Sequence, residues 1–529
     1  MKVAVCEISL LLKAKDLKVK KEKGKRIRYL ILPFAFWMLP GIDPGGIEWA
    51  IAQAQIVPDK DPTNSTNTIV NTNGNSFDIT GGKTSSNGAN LFHSFSEFGL
   101  NANQVANFLS NQNIKNILGR VTGPNPSIIN GLLQVTNGNS NLFLINPSGI
   151  VLGANASLNV NGSFTATTAT GIGFGNNWFS AAGNNNYADL GGEPNAFAFT
   201  NAQPGAIINA GQLSVDAGKD LALLGGTVVN TGTLTAPGGN ITLTAVPGEN
   251  IVRLSQPGNL LSLEIQPITA ADSQPENWTL PVASIPELLT GGGAGSATGL
   301  TVNSNGQVVL TGSGVSIPTD PGTAIASGSL NVSGETGGTV QVLGDKVGLV
   351  SANVNASGTN GGGTVLVGGD FQGKGTIPNA SHTYISNDST INADSLLNGD
   401  GGHVIVWADK VTGFYGKIGA SGGINQGNGG FVEVSGKENL AFKGEVNVGA
   451  PNGVDGTLLL DPKNIKIVDT GGANDDQLNA DNPSGDLAGQ IFSADGGDEV
   501  DFTISKSVLE NQTGNVVLQA TNDITIDNG

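Results

Sequence analysis

Seven carboxylates crowd one stretch of the sequence: Asp475, Asp476, Asp481, Asp486, Asp495, Asp498 and Glu499. Carboxylates gathered on a groove can work as general acid and base on a glycosidic bond, or supply the oxygen ligands of calcium. Their surroundings favour neither. The stretch is rich in Gly, Asn and Pro, as a solvated loop is, and GGDFQGKG (368–375) and DGGDEVDF (495–502) are isolated, with no tandem GGxGxDxUx run. Calcium at 475–501 would be adventitious, and no cofactor is expected. His93, His382 and His403 are far apart and show no metal-ligand spacing; His93 follows Phe92 and reads as structural. No G-x-x-x-x-G-K-[ST] phosphate loop is present. The chain is therefore not expected to be an enzyme.

A different residue pattern is sharply specified. In NLFLINPSGIVLG (141–153) an apolar run meets Asn146, Pro147, Ser148, Gly149 and Ile150, then turns apolar again. Pro147 fixes φ at a turn's second position, and Gly149 can take positive φ without steric cost. Strand, tight turn, strand is the local expectation. The turn is either a structural corner or an address read by a partner, and both readings stand at this point.

The elements that must hold this turn follow from composition and repetition. Of 529 residues, 79 are Gly and 23 Pro, while 13% are charged and 5% aromatic, a profile of strands and turns. The pattern Gly-Gly-x-Val/Ile-x-Val/Leu recurs at GGNITL (238–243), GGTVQV (337–342), GGTVLV (362–367), GGHVIV (401–406) and GGFVEV (429–434). The last four start 25, 39 and 28 residues apart. A second set of pulses, such as GSLNVSG (328–334) and GEVNVGA (444–450), alternates apolar with polar residues. This suits an all-β fold, a right-handed parallel β-helix (solenoid) with extrahelical loops, in which coils stack and small apolar residues fill a thin interior. At about 22 residues per coil, some 20 coils at ~4.8 Å each would give a rod on the order of 100 Å. The enzyme class that shares such a scaffold, a secreted polysaccharide lyase or glycosidase, is the alternative reading.

The N-terminus has another character. Nine Lys or Arg between Lys13 and Arg28 precede the apolar run Tyr29–Leu39, which is too short to span a bilayer as a resting helix. Residues 1–54 are read as an extended signal peptide cleaved after Ala54, against the alternative of an uncleaved anchor. Without them the chain keeps 15 basic and 38 acidic residues, a net charge of −23. Such a surface repels phosphate, so no nucleic acid is expected as a partner. Cys6 lies in the leader, leaving the exported chain without a thiol or disulfide.

Residues 68–170 resemble the secretion domain of two-partner secretion exoproteins of the filamentous haemagglutinin type. The resemblance rests on NSFDITGG (75–82), NLFHSFSEFGL (90–100), ANFL (106–109), NILGRVTG (116–123) and SNLFLINPSGIVLGANASLNVNGSFTATTA (140–169). The family's turn is usually Asn-Pro-Asn/Ala-Gly-Ile; Ser148 stands at its third place here. GGDFQGKG (368–375), NGGFVEVSGK (428–437) and GTLLLDPKNIKIVD (456–469) resemble the downstream passenger of similar proteins. What the resemblance implies is export through a cognate outer-membrane β-barrel transporter with periplasmic POTRA domains, and a secreted or cell-surface location. The function expected is that of an adhesin or structural surface rod. Residues 55–320 would hold the secretion domain and first coils, and 321–529 the β-helical passenger repeats. A strand-like pulse ends just before the last residue, which suggests an incomplete reading frame or a shortened exoprotein.

Two stretches break the coil rhythm and are read as insertions. Residues 266–295 are Pro-rich and carry Trp278; residues 371–390 account for the 39-residue spacing and carry Tyr384 and His382. Loops on a rigid scaffold often bind, and Trp278 and Tyr384 could stack on a carbohydrate or meet another cell-surface ligand. Merely tolerated surface insertions are the equal alternative.

Overall fold

A strand covered on one face needs alternating apolar residues, whereas one covered on both faces needs a continuous apolar run. This chain writes both kinds into each coil. The computed structural model describes residues 55–254, 263–267, 300–302, 308–310, 316–317, 321–469 and 503–527, all within one unit, Ile51–Gly529. The expected leader 1–54, Trp278 and the acidic group 475–501 lie outside the described residues.

Three long sheets of 14, 9 and 12 strands run side by side. One coil shows the plan: Thr339–Leu343 joins the first sheet, Lys346–Leu349 the second and Asn353–Asn355 the third. The chain then returns to the first sheet at Thr364–Val367, parallel to its predecessor with Thr339 opposite Thr364. This is the parallel β-helix that the repeats imply. At the N-terminal end antiparallel pairs close the stack: Ile56–Pro58 lies on Asn90–Phe98, and Thr68–Asn73 forms a hairpin with Ser76–Gly81. The first and second sheets pass from the 55–320 region into the 321–529 region without a break, because Asn240–Ala245 pairs with Thr339–Leu343 and Thr227–Asn230 with Thr323–Ala326.

Register turns the sequence pulses into columns. Val340, Val365, Val404, Val432 and Leu458 stack along the interior of the first sheet, all buried. Leu213, Leu234, Leu330, Val354, Ile391, Ile418 and Val446 do the same in the third. The repeated Gly-Gly has a steric cause. A Cβ on Gly338, Gly363, Gly402, Gly430 or Gly456 would overlap the carbonyl oxygen of Gly239, Gly338, Gly363, Gly402 or Gly430 respectively, so each glycine seats one coil on the last.

The first sheet is also buried from outside. Gly171–Phe174, Asn177–Ser180, Ala196–Phe199, Asn250–Leu254 and Leu263–Pro267 form a separate antiparallel sheet. Its Phe174, Phe179, Phe197 and Phe199, with Tyr187, join Phe92, Leu118, Ile145, Ala222 and Leu224 of the first sheet in a second apolar core. Sequence reading missed this sheet.

The expected insertion at 371–390 is corrected. His382–Ile385 is a strand of the second sheet, parallel to Lys346–Leu349 and Val411–Phe414, and Thr390–Asn392 belongs to the third. Only 368–381 leaves the coil between Val367 and His382. Deleting 371–390 would therefore remove a strand of the solenoid.

Candidate functional site

The strand Asn141–Ile145 of the first sheet and Ile150–Leu152 of the second meet at the Asn-Pro-Ser-Gly turn. Gly149 adopts φ 123°, a conformation open to glycine, and its N–H donates to the Asn146 carbonyl at 3.0 Å. The Asn146 side chain reads both its own turn and the coil beneath. Its Oδ1 accepts the Ser148 N–H at 3.0 Å, while Nδ2 donates to the Asn125 carbonyl at 3.1 Å and Ser127 Oγ at 3.0 Å. The Asn146 N–H donates to the Thr167 carbonyl of the following coil at 3.0 Å. Ser148 Oγ reaches the Gly123 carbonyl at 3.4 Å.

All five residues from Asn146 to Ile150 are buried, Asn146 fully. The next coil seals them: a Cβ on Gly205 would sit 2.5 Å from the Pro147 carbonyl oxygen. In the folded chain the turn is a corner between two coils, presenting no side chain to a partner. A partner that reads these five residues directly must meet them before the coil of Gly205 is laid down.

A second constellation, absent from the sequence reading, surrounds Arg120. It lies on the outer face of the strand Asn116–Val121, completely buried beneath the extrahelical sheet. Nε donates to Ser94 Oγ at 3.1 Å, Nη1 to the carbonyls of Ser180 at 2.8 Å and Gly183 at 2.9 Å, and Nη2 to that of Asn64 at 2.7 Å. The guanidinium also lies 5.7 Å from the Phe179 ring centroid. Burial pushes its pKa down, opposed by Tyr187 and Asp59. Three distant segments are thus pinned by one side chain. Alongside, an amide ladder crosses the coils: Asn116 Nδ2 donates to Asn90 Oδ1 at 2.8 Å and Glu193 Oε2 at 3.0 Å, and Asn141 Nδ2 to Asn116 Oδ1 at 2.9 Å. The signal was legible as Asn followed by Leu or Ile at 90, 116 and 141, one step before each apolar run.

The remaining sequence candidates separate. His93 is wholly buried with Nδ1 3.1 Å from Thr68 Oγ1, and burial lowers its pKa to about 3, so it is neutral and structural. His382 is buried beside Ser381, while His403 is exposed near the Phe431 ring. Tyr384 is half-buried, its ring 5.8 Å from that of Tyr415. Among the described residues no three His, Cys, Asp or Glu side chains are grouped to hold a metal.

Residues 54–275 match a family model described as the TPS secretion domain. The crystal structure of the HMW1 secretion domain from Haemophilus influenzae aligns at 24% identity and a TM-score of 0.40, over 75% of this chain and 98% of that one. The crystal structure of the filamentous hemagglutinin secretion domain aligns at 11% identity and a TM-score of 0.32, over 89% and 99%. No curated protein matches the chain.

Proposed function

We propose, from the premise that the chain is a two-partner secretion exoprotein with its TPS secretion domain at 54–275, that it works outside the cell as an adhesin or structural surface rod. A TPS secretion domain implies a cognate outer-membrane transporter. In this proposal the transporter receives the chain on periplasmic POTRA domains, after a signal peptide ending at Ala54 has been removed. The observation that carries the export half is the family match over 54–275.

The coil arrangement supports a mechanism. Each coil of the stack pairs in parallel with the one laid down before it, so a chain emerging N-terminus first finds its template already in place. Folding outside would oppose back-sliding without an energy source. Asn146, Pro147, Ser148, Gly149 and Ile150 then serve export by being read in the unfolded chain, with burial of the turn following release. For the adhesive half, the support is a surface of Ser, Thr and Asn along the third sheet and the half-buried Tyr384 and Tyr415 pair, onto which a sugar ring could stack. Trp278 would add to it. Weak contacts of this kind gain strength when many rods share one surface.

The test is secretion from cells that also make the cognate transporter. Replacing Asn146 and Pro147 by Ala should abolish release while leaving synthesis intact. Normal release of a stably folded double mutant would leave the turn as a corner alone.

A further inference from the structure

The segment 368–381 leaves the coil after Val367 and lies over the outer face of the first sheet, where it meets a buried carboxyl group. Glu433 occupies the middle of the strand Phe431–Gly436, between the inward-facing Val432 and Val434, and is 0% exposed. Its Oε2 accepts the backbone N–H of Gln372 at 3.0 Å; its Oε1 has no hydrogen-bond partner. Gln372 holds that N–H in place with φ 54°, a left-handed conformation that a side chain rarely adopts. At its ends the segment is held by the backbone, Gly368 N–H donating to the Val342 carbonyl at 2.9 Å, Ser381 N–H to that of Asp345 at 2.6 Å and Asp409 N–H to that of Ala380 at 2.7 Å. Between them Asn379 Nδ2 donates to the Gly373 carbonyl at 2.9 Å and Asp409 Oδ1 at 3.2 Å.

The charges facing Glu433 are unfavourable to a carboxylate. Asp370 on the same segment and Asp461 on the next coil both act on it as like charges. Lys374 is spent elsewhere, with Nζ on Gln372 Oε1 at 2.7 Å and its field on Asp461. Gln372 Nε2 reaches Asp461 Oδ2 at 3.4 Å. On the preceding coil His403 is exposed beside Phe431, and Asp409 is held by Asn379 and Trp407 Nε1.

We propose that residues 368–381 form a pH-operated strap, seated over a neutral Glu433 and lifted when that carboxyl ionises. A buried carboxylate with one oxygen left without a hydrogen-bond partner and two acidic neighbours is relieved most directly by water, and the strap is the cover nearest to it. The Gln372 N–H favours the ionised form and Ser435 assists it, but burial outweighs both and pushes the Glu433 pKa up to about 7. The stabilisation therefore stands in full below the ordinary value of 4.5 and is lost as pH rises through about 7. Lifting the strap uncovers Leu366, Ile405 and Trp407, which now pack with Ile377 of the strap in one apolar cluster. Above neutral pH the rod would gain an apolar contact face.

Amide hydrogen exchange of 368–381 in the exported chain, corrected for the intrinsic pH dependence of exchange, tests this. Protection should fall at least about tenfold between pH 5.5 and 8.5, and Glu433→Gln, which cannot ionise, should stay protected throughout. Constant protection in the unmodified chain overturns the strap; the same pH response in Glu433→Gln overturns the assignment to Glu433. If that variant does not fold, Asp370→Asn with Asp461→Asn removes the like charges and should move the midpoint to lower pH. An unmoved midpoint overturns the proposal equally.

Discussion

The coils from Asn90 to Leu254 and those from Thr323 to Leu460 share one plan and cover it differently. In the first region the outer face of the first sheet lies beneath a whole antiparallel sheet, with Phe92, Phe174, Phe179, Tyr187, Phe197 and Phe199 between the layers. In the second, 14 residues of strap stand over Leu366, Ile405 and Trp407. Two layers of core and a buried Arg120 should make the early coils the more rigid. The later coils rest on their own columns, which leaves their covering free to respond to conditions.

Breaking the clasp should separate the regions most. Arg120→Ala removes four hydrogen bonds and takes the guanidinium donor from the half-buried carbonyls of Asn64 and Gly183, while that of Ser180 keeps only Asn185 Nδ2 among side-chain donors. The expected cost is about 3–5 kcal/mol. Denaturant unfolding followed by hydrogen exchange should show it confined to peptides from 56–254, with 339–460 unchanged. Equal loss in both would mean that the coils unfold as one unit.

A smaller effect is expected at the corner. Gly205→Ala would drive a methyl group onto the Pro147 carbonyl oxygen, and overpacking of this kind costs about 1–3 kcal/mol. A thermal melt reads the loss directly. Because the turn is read unfolded in the export proposal, secretion of Gly205→Ala should persist although stability drops.

A contrast in pH dependence sharpens the comparison further. Burial holds the His93 pKa near 3, so its contribution is present above the ordinary 6.5 and lost as pH falls toward about 3. The early coils should thus weaken on the acid side. Glu433 places the later coils on the opposite slope, weakening as pH rises through about 7. Region-resolved exchange from pH 4 to 8.5 should show the two trends crossing, and His93→Gln should flatten the acid limb alone. Parallel trends in the two regions would remove the contrast.

Much of the fold was legible because its cause is local. Each Gly-Gly marks a place where one coil's carbonyl occupies the room of the next coil's Cβ, and the alternation in SLN (329–331), NVN (353–355) and EVN (445–447) marks a sheet wet on one side. The extrahelical sheet was not legible in the same way. Phe92, Leu118 and Ile145 point outward, but continuous apolar runs do not say what covers them, and the partner residues lie 50 or more positions away from the first of these. The bounds of the 368–381 excursion were blurred because HTYI (382–385) is a regular strand whose period is interrupted only before it. Asn146 to Ile150 announced a turn, yet its burial depends on Gly205, far along the chain. Glu433 looked like any polar residue at the outward place of GGFVEV; its pKa is raised by burial and by Asp461 and Asp370, which only folding brings near.

The glycine column running through Gly239, Gly338, Gly363, Gly402, Gly430 and Gly456 also bears on how such a chain can change its length. Each member after Gly239 faces the carbonyl of its predecessor, itself a column glycine, so the contact is interchangeable from coil to coil. Excision of one whole coil would set Gly402 upon Gly338 as Gly363 is set there now, and duplication of a coil would insert another of the same joint. Unequal recombination between such segments preserves the glycine joint when the cut falls at the same step of the coil, and ruins it when the cut falls elsewhere. A change of length that keeps this joint comes in whole coils.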